Sequence, residues 1–575
     1  MLCFRNTAWA PAVPRLTRRI DLRVTTFVLV VLIWGGAQVS AQAADVDVVI
    51  DLVGVGREIS PAIYGVSFAD TDQLASVPYP ANRWGGNSVT RYNWQADVSN
   101  KASDWFFMNI PGASIDPAHL PDGSTADIFV AESLASGAAP LMTLPLIGWT
   151  PVGVREKKWG FSVAEYGAQD QTECTATGGA FWCQPDAGNG YSGGVRLSGN
   201  DPTDTSMAID SNWVTDWVGH LGSAVRWFAL DNEPMLWSET HFDVHPSSVT
   251  YDEIWSRTAD IGSTVKAARP NAVLFGPVVW GWCAYFFSAA DGCSAGADQA
   301  AHSGQPFLEW YLDRICEHEQ NTGVRPVDVL DIHYYPQGGQ ALAGEGGAAL
   351  QALRLRSVKD LYDPAYVSES WINEPVRLLP RMRELIEQRC PGLGLAITEY
   401  NWGQDGISSA LAQAEVLAVF GREGVFAAMR WVVPDVGTRM EDAFRLFLNY
   451  DGGGARVTGT SRSSASSDVD RVGAYAVESP TGDLVVLLFN KSTSTENANV
   501  AIAQPVSGTA AVYRFTEGSA LGPAGSLEVI SGAADLVLPA RSATLVVLPG
   551  ATDRVFVDGF EGGDVSPWSS ATPSS

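Results

Sequence analysis

The sequence predicts an α/β protein in which a (β/α)8 TIM-like barrel is joined to a small all-β sandwich domain. In the middle of the chain, short apolar runs alternate with helical patterns, which is typical of β/α units around a parallel sheet. After about residue 449 the helical periodicity stops, and short β-branched runs separated by turn residues follow. The chain has 575 residues, of which 46% are hydrophobic, so it is long enough to bury both cores.

The first 43 residues have the pattern of a secretory signal peptide. Arginines at positions 15, 18, 19 and 23 precede the apolar run Val24–Ile33, and Ala41-Gln42-Ala43 supplies small residues for cleavage. The apolar run is shorter than the ~20 residues that a membrane span needs. We therefore expect a secreted or periplasmic protein, with the extracellular location favoured, and leave the Sec and twin-arginine export routes open.

Eight apolar runs predict the barrel strands, and helical patterns lie between the later ones. The strand candidates are Ile63–Phe68, Asn82–Gly85, Pro140–Ile147, Val225–Leu230, Ala272–Val278, Val327–His333, Leu393–Thr398 and Val425–Val432. The helical patterns are Ser247–Ala268, Pro306–Glu319, Glu374–Arg389 and Ser408–Gly421, and a proline follows three of them, where it ends a helix. Together these elements predict a barrel over residues 58–445.

The segments outside the barrel strands and helices are assigned from their composition and from the presence or absence of periodic apolar runs. An insert at about residues 148–206 has few periodic runs, and we expect it to form loops over the barrel mouth. Residues 446–550 contain the β-branched runs of the sandwich, and residues 44–57 carry a strand-like run that we expect to pair with it. Residues 551–575 end in Ser, Pro and Thr and are predicted to be a flexible tail.

Cysteine usage agrees with an exported protein. Seven cysteines become six once Cys3 leaves with the signal peptide, and an even number in an exported chain indicates disulfides. The predicted pairs are Cys174–Cys183 and Cys283–Cys293, while Cys316–Cys390 is left open because both residues lie on predicted helices. No CxxC, HExxH or EF-hand spacing occurs, so no metal site or cofactor is predicted, and structural Ca²⁺ in the acidic loops is left open.

The charge of the chain narrows the class of its partner. Lys and Arg number 37 against 64 Asp and Glu, which gives a formal charge of −27. Such a surface repels phosphate backbones, and no stretch after the signal peptide is long and apolar enough to span a bilayer. We expect no nucleic-acid or membrane partner, and a neutral or cationic ligand.

Two predicted strands end in carboxylates. Val225–Leu230 runs into Asp231-Asn232-Glu233-Pro234, and Leu393–Thr398 runs into Glu399-Tyr400-Asn401. In a (β/α)8 barrel the carboxyl ends of the strands form the active face, so Glu233 and Glu399 should point into one cleft. Hydrolysis of a glycosidic bond needs two carboxyl groups, one that protonates the leaving oxygen and one that attacks the sugar or activates water. The pattern therefore predicts a glycosidase.

Further motifs make the chain resemble glycoside hydrolase family 44 over roughly residues 50–550. The segment Ala229–Pro234 resembles the acid/base segment of that family, and Ile397–Asn401 resembles its nucleophile segment. The motifs that match in the same order are Asn82-Arg83-Trp84-Gly85-Gly86-Asn87, Thr90-Arg91-Tyr92-Asn93-Trp94, Ser103-Asp104-Trp105, Gly199-Asn200-Asp201-Pro202, Asp331-Ile332-His333-Tyr334-Tyr335-Pro336 and Leu448-Asn449-Tyr450-Asp451-Gly452. The resemblance implies a retaining endo-β-1,4-glucanase or xyloglucanase, with Glu233 as general acid/base and Glu399 as nucleophile.

Other side chains near these motifs are candidates for substrate binding. Asn232 is placed to donate to a sugar 2-hydroxyl, Tyr335 to hydrogen-bond the nucleophile, and Trp431 to floor the subsite of the reacting sugar. Pyranose rings have apolar faces that stack on aromatic rings, so a glucan cleft needs spaced aromatics. The other candidates are Arg83, Trp84, Asn87, Tyr92, Trp94, His333 and Trp402. Core packing for the tryptophans, ion pairing for Arg83 and a turn role for Asn87 are the competing interpretations.

Three other functions are alternatives to a β-glucanase. Gly190-Tyr191-Ser192-Gly193-Gly194 matches the G-x-S-x-G pattern of serine hydrolases, but it lies in a turn-rich insert without the required strand and helix. A non-catalytic polysaccharide-binding protein would not need both Glu233 and Glu399. Another glycosidase of the same barrel clan, acting on xylan, mannan or an arabinoside, is the main alternative. The expected partner is a β-glucan polysaccharide, and the expected state is a monomer.

Overall fold

The computed structural model describes residues 45–114 and 116–551, so the predicted signal peptide and residues 552–575 of the predicted tail lie outside it. Eight parallel strands close into a barrel, each hydrogen-bonded to the next along the chain and the last to the first. The strands are Gly65–Ser67, Ala81–Trp84, Ala139–Leu144, Trp227–Leu230, Val273–Val279, Val329–Tyr334, Gly394–Tyr400 and Ala427–Arg430. Each corresponds to one of the eight predicted runs, and the predicted fold class is confirmed.

Helices surround the barrel. The longer ones are Thr125–Ala135, Ser211–His220, Tyr251–Ala268, Phe307–Thr322, Ala348–Arg356, Leu378–Arg389, Ile407–Glu423 and Arg439–Leu448. The helix Tyr251–Ala268 shows why such a segment folds: the Thr250 side chain caps its N-terminus by accepting from the Glu253 amide, and Ile254, Ile261 and Val265 bury one face. Short helices are Thr71–Ser76, Asn87–Thr90, Val163–Tyr166, Glu173–Ala176, Trp237–Thr240, Trp282–Phe286 and Ala297–Ala301.

The insert over the barrel mouth is more ordered than the predicted loops. Its short strands are Trp149–Pro151, Lys158–Trp159, Tyr191–Ser192, Val195–Arg196 and Ser206–Ala208, and Lys158–Trp159 joins a four-stranded sheet with Met108–Pro111, Val98–Asn100 and Tyr92–Asn93. Strands of two or three residues are too short to show a period in the sequence. Ser192 lies in a two-stranded hairpin, so the serine-hydrolase pattern is not followed by a helix.

The remaining strands form one continuous sheet that curves around its own core. In sheet order they are Gly522–Val529, Gly508–Thr516, Ser542–Leu548, Leu484–Asn490, Val472–Glu478, Thr460–Ser466, Val46–Asp51, Glu496–Ile502 and Ala533–Leu538, and Arg57–Glu58 pairs with Thr460–Ser466. Val46–Asp51 is thus a strand of this curved sheet, antiparallel to one neighbour and parallel to the other. Its alternate residues Val46, Val48 and Ile50 are fully buried.

The barrel and the curved sheet share a polar contact that is fully buried. Lys491 Nζ donates to both Glu415 carboxylate oxygens at 2.9 and 3.0 Å, and the Tyr475 hydroxyl donates to Glu415 Oε1 at 3.2 Å. Glu415 belongs to the barrel helix Ile407–Glu423, whereas the other two residues belong to the sheet domain. Removal of either charge would leave the other buried without its counter-ion, which typically costs about 3–5 kcal/mol.

Three disulfides fasten the loops and helices. They join Cys174 to Cys183, Cys283 to Cys293 and Cys316 to Cys390, the same pairs that the sequence analysis named. The third bridge links the end of Leu378–Arg389 to the helix Phe307–Thr322. Within residues 45–114 and 116–551, no helix is both long and apolar enough to cross a bilayer.

Candidate active site

Two barrel strands bring Glu233 and Glu399 together at the mouth. Glu399 lies in the seventh strand, and Glu233 follows the end of the fourth strand by three residues. One carboxylate oxygen from each and one ring nitrogen of His333, from the sixth strand, all lie within 4.8 Å of one another. The predicted pair of carboxylates therefore faces one cleft.

Glu399 is held by a cation and a phenol. Arg83 Nη1 donates to Glu399 Oε2 at 2.8 Å, and the Tyr335 hydroxyl donates to Oε1 at 2.6 Å. Burial and the Glu399 charge raise the pKa of Tyr335 well above its usual value, so the phenol keeps its proton. Both carboxylate oxygens of Glu399 accept hydrogen bonds, and this arrangement fixes the orientation of the side chain.

Glu233 lies in surroundings that favour its protonated form. Burial raises the pKa of Glu233 to about 7, and the Arg83 charge opposes that effect only in part. His333 Nδ1 lies 2.9 Å from Glu233 Oε1, and burial lowers the His333 pKa to about 3, so this imidazole is neutral. Arg83 Nη2 faces His333 Nε2 at 3.4 Å, which makes Nε2 the acceptor and Nδ1–H the donor to Glu233. The acid proton of Glu233 then resides on Oε2.

A strained backbone presents Glu233, and Asp231 holds it. Asp231 and Glu233 have φ values of 73° and 48°, in the left-handed region that costs a non-glycine residue about 1–3 kcal/mol. The Asp231 carboxylate accepts from the Leu146 and Ile147 amides at 2.7 and 3.1 Å and from the Thr90 hydroxyl at 2.7 Å. The sequence analysis gave Asp231 no role, although its position at a strand end was the available signal.

Asn232 and Asn87 extend the polar wall beside Glu233. Asn232 Oδ1 accepts from Arg83 Nη2 at 2.7 Å and from the Gly86 amide at 3.1 Å, while its Nδ2 donates to Asn87 Oδ1 at 3.2 Å. Asn87 Nδ2 in turn donates to the Asp104 carboxylate at 3.2 Å. Asp104 is exposed at its surface, yet desolvation by the surrounding protein raises its pKa, and the Glu233 and Glu399 charges add to the effect. Asp104 was not among the predicted site residues.

The sequence analysis predicted that Arg83 binds substrate. In the structure Arg83 does not face the cleft. Its side chain is fully buried, and its terminal nitrogens are directed at Glu399, Asn232 and His333. A guanidinium out of reach of solvent cannot contact a sugar hydroxyl directly. The competing interpretation of Arg83 as an ion-pair partner is the one that the geometry supports.

The predicted aromatic residues divide into two sets. Trp431 is partly exposed and lies over Gly86, where it can contact a sugar ring. Trp84, Tyr92, Trp94 and Trp402 are instead buried, with at most 7% exposure. Trp402 Nε1 donates to Ser357 Oγ at 3.2 Å, and the Tyr92 hydroxyl donates to Asp97. These four support the barrel wall, and their assignment to substrate contact is corrected, because residues after a strand end can turn toward the helices as well as toward the cleft.

Among the described residues, one group of three side chains could hold a metal ion. Glu233, His333 and Glu399 form the sole group of three such ligands found within residues 45–114 and 116–551. Arg83 already supplies a cation to Glu399 and faces the imidazole, so the donor set fits proton transfer better than it fits a second cation.

Comparison with known proteins identifies relatives of this chain. The model of glycoside hydrolase family 44 matches residues 98–338, a range that includes Glu233. Endoglucanase A of Paenibacillus lautus is 30% identical over 478 residues, which make up 79% of this chain and 65% of that protein, so the chain spans less than two thirds of the relative's length.

Two solved structures resemble most of the chain. CelM2, a bifunctional glucanase-xylanase from a metagenome library, is 36% identical with a TM-score of 0.83, and the match covers 88% of this chain and 100% of that chain. A Paenibacillus polymyxa xyloglucanase from glycoside hydrolase family 44 is 26% identical with a TM-score of 0.73, and the match covers 88% and 99% of the two chains. The similarity extends over both the barrel and the curved sheet.

Proposed function

The chain belongs to glycoside hydrolase family 44, and on that premise we propose that it is a secreted, retaining endo-glycosidase. Its proposed substrates are cellulose-type glucans and xyloglucan, cut at internal β-1,4-glucosidic bonds. One observation carries the proposal: carboxylate oxygens of Glu233 and Glu399 approach within 4.8 Å at the mouth of the barrel. Carboxyl groups about 5–5.5 Å apart serve retaining enzymes, whereas inverting enzymes need about 6.5–9.5 Å to admit a water.

In the first step Glu399 attacks and Glu233 supplies a proton. A Glu399 oxygen forms a bond to the anomeric carbon, while the bond from that carbon to the glycosidic oxygen breaks and the oxygen takes the Glu233 proton. The raised pKa of Glu233, about 7, keeps that proton available near neutral pH. The products are a covalent glycosyl-enzyme and a shortened chain with a free hydroxyl.

In the second step water displaces Glu399 from the anomeric carbon. Ionised Glu233 removes a proton from the water as its oxygen bonds to the anomeric carbon, and Glu399 leaves as a carboxylate. Two inversions restore the β configuration. Arg83 and Tyr335 stabilise the departing carboxylate through the same bonds that orient it for attack. Carboxyl groups and water suffice for both steps, so we propose no cofactor.

One other polysaccharide is a specific candidate for the substrate. CelM2 is described as a bifunctional glucanase-xylanase, and it shares 36% identity with this chain, so xylan is the second candidate substrate. The strongly acidic chain favours neutral polymers such as these over polyanions. The proposed partner is therefore the polysaccharide itself, bound by a monomer.

The test compares wild type with Glu399→Ala on three soluble neutral polymers: xyloglucan, hydroxyethyl-cellulose and arabinoxylan. We expect wild type to lower viscosity quickly while it releases few reducing ends, as an internal cut does, and Glu399→Ala to do neither. The ratio of rates among polymers identifies the substrate. A folded wild-type enzyme that releases reducing ends from none of the three would overturn the proposal.

A further inference from the structure

The loop closed by the Cys174–Cys183 disulfide presents aromatic rings beside the proposed cleft. Phe181 is fully exposed, and Trp182 is 46% exposed. The ring centroid of Trp182 lies 6.4 Å from that of the partly exposed Trp105, and the two planes differ by 33°. We call Trp105, Phe181 and Trp182 the aromatic platform. Nothing in the proposed chemistry at Glu233 and Glu399 uses this platform.

A buried carboxyl group holds the Trp105 ring of the platform and the backbone that follows the disulfide. Glu173 is 1% exposed, its Oε1 accepts from Trp105 Nε1 at 2.6 Å, and its Oε2 accepts from the Gln184 amide at 2.7 Å. Gln184 follows the disulfide, which joins the two ends of the loop with 5.0 Å between their Cα atoms. One carboxyl group thus fixes both the indole of Trp105 and the backbone two residues after Trp182. An aromatic ring that is already fixed, as the Trp105 indole is, loses little conformational entropy when a ligand binds.

The platform is continuous with the catalytic residues. Trp105 directly follows Asp104, whose carboxylate accepts from Asn87 Nδ2, and Asn87 Oδ1 accepts from Asn232 Nδ2. Asn232 is the neighbour of Glu233 in sequence. An unbroken chain of bonded residues therefore connects the acid/base with the exposed rings, and a polymer in the cleft can extend onto them.

We propose that the aromatic platform is a distal subsite, where glucose rings remote from the cleavage point stack on Trp182 and Phe181. The occupant is the neutral β-glucan chain whose scissile bond lies between Glu233 and Glu399, so the inference rests on the proposed function. The apolar face of a pyranose ring matches an indole face, and the acidic chain favours an uncharged polymer. The disulfide keeps the loop in the conformation that the sugar meets.

The kinetic test uses Trp182→Ala, Trp182→Phe and the control Val195→Ala, which alters another exposed apolar residue of the same insert. With xyloglucan and a ladder of cello-oligosaccharides, we expect Trp182→Ala to raise KM about 2- to 12-fold for long chains and to abolish the gain from added length. Trp182→Phe should restore most of the affinity, and Val195→Ala should match wild type. Equal melting temperatures will verify that each variant is folded.

A second measurement separates this inference from the proposed function. Native electrophoresis in gels that contain xyloglucan reports binding without turnover when the inactive Glu399→Ala variant is used, and we expect Glu399→Ala with Trp182→Ala to be retarded less than Glu399→Ala alone. Active wild type with unchanged length dependence and retardation in Trp182→Ala would overturn the platform and leave the glycosidase proposal intact. Retardation that depends on Trp182 in a protein without hydrolysis would overturn the glycosidase proposal instead. If wild type is neither retarded nor active, both fail.

Discussion

Replacement of Glu233 by glutamine removes the proposed proton donor and keeps the shape of its side chain. Burial raises the Glu233 pKa from 4.5 to about 7, with Arg83 acting in the opposite direction. At pH 6 an acid of pKa 7 is about 90% protonated, whereas one of pKa 4.5 is about 3% protonated. Burial therefore increases the fraction of enzyme with a ready proton about 30-fold at that pH.

The assay follows kcat/KM against pH on two substrates. On xyloglucan we expect the wild-type value to fall above about pH 7, as Glu233 loses its proton, and Glu233→Gln to lose about 10²–10⁴-fold. On an aryl β-cellobioside with an acidic phenol, the leaving group needs no proton, so the variant should retain most of its kcat/KM and lack the alkaline limb. Glu239→Gln, at an exposed carboxylate in the following helix, should behave as wild type.

The raised pKa of Glu233 also makes the stability of the folded protein depend on pH. A folded-state pKa above the unfolded value of 4.5 means that the stabilising contribution is complete below pH 4.5 and is lost as pH rises through about 7. Glu233→Gln should therefore melt at a higher temperature than wild type at pH 8, and this gain should vanish near pH 4. An alkaline limb that survives in Glu233→Gln on the aryl substrate would refute the assignment of Glu233 as the titrating acid.

Three further substitutions test the rest of the site. Tyr335→Phe removes a hydrogen bond to a carboxylate, worth about 1.5–3 kcal/mol, so kcat should fall about 10- to 150-fold in steady-state assays; an unchanged kcat would exclude its role. Arg83→Gln leaves Glu399 without its cation, and calorimetry should show about 3–5 kcal/mol less stability together with lost activity. Trp402→Ala should cost about 3–5 kcal/mol in denaturant unfolding, whereas Trp431→Ala should mainly reduce kcat/KM; the reverse pattern would contradict their assigned positions.

The sequence predicts the barrel well because its signals are local. Most strands are rich in apolar residues, as expected where both faces of a parallel strand are covered, and proline ends several helices. Position at a strand end was enough to select Glu233 and Glu399. The two-residue strands of the insert carry no such period, so they were expected to be loops.

The direction in which a side chain points after a strand end could not be predicted from the sequence. Trp402 and Trp431 occupy similar positions after neighbouring strands, yet Trp402 packs against Tyr334 and Tyr400 whereas Trp431 is partly exposed and lies over Gly86. Which way each ring turns depends on the space left by partners distant in sequence. The same holds for Arg83, whose burial follows from three acceptors on three other strands or strand ends.

The direct test of the double-displacement account is mass spectrometry of the enzyme after reaction with a 2-deoxy-2-fluoro-β-cellobiosyl fluoride. Fluorine at carbon 2 slows both steps, and the reactive fluoride leaving group restores the rate of the first step only, so the covalent intermediate accumulates. The account predicts one cellobiosyl adduct per chain, located on the peptide that contains Glu399 and absent from Glu399→Gln. An adduct on Glu233 or on another residue, or none on an enzyme that turns over its natural polymer, would contradict it.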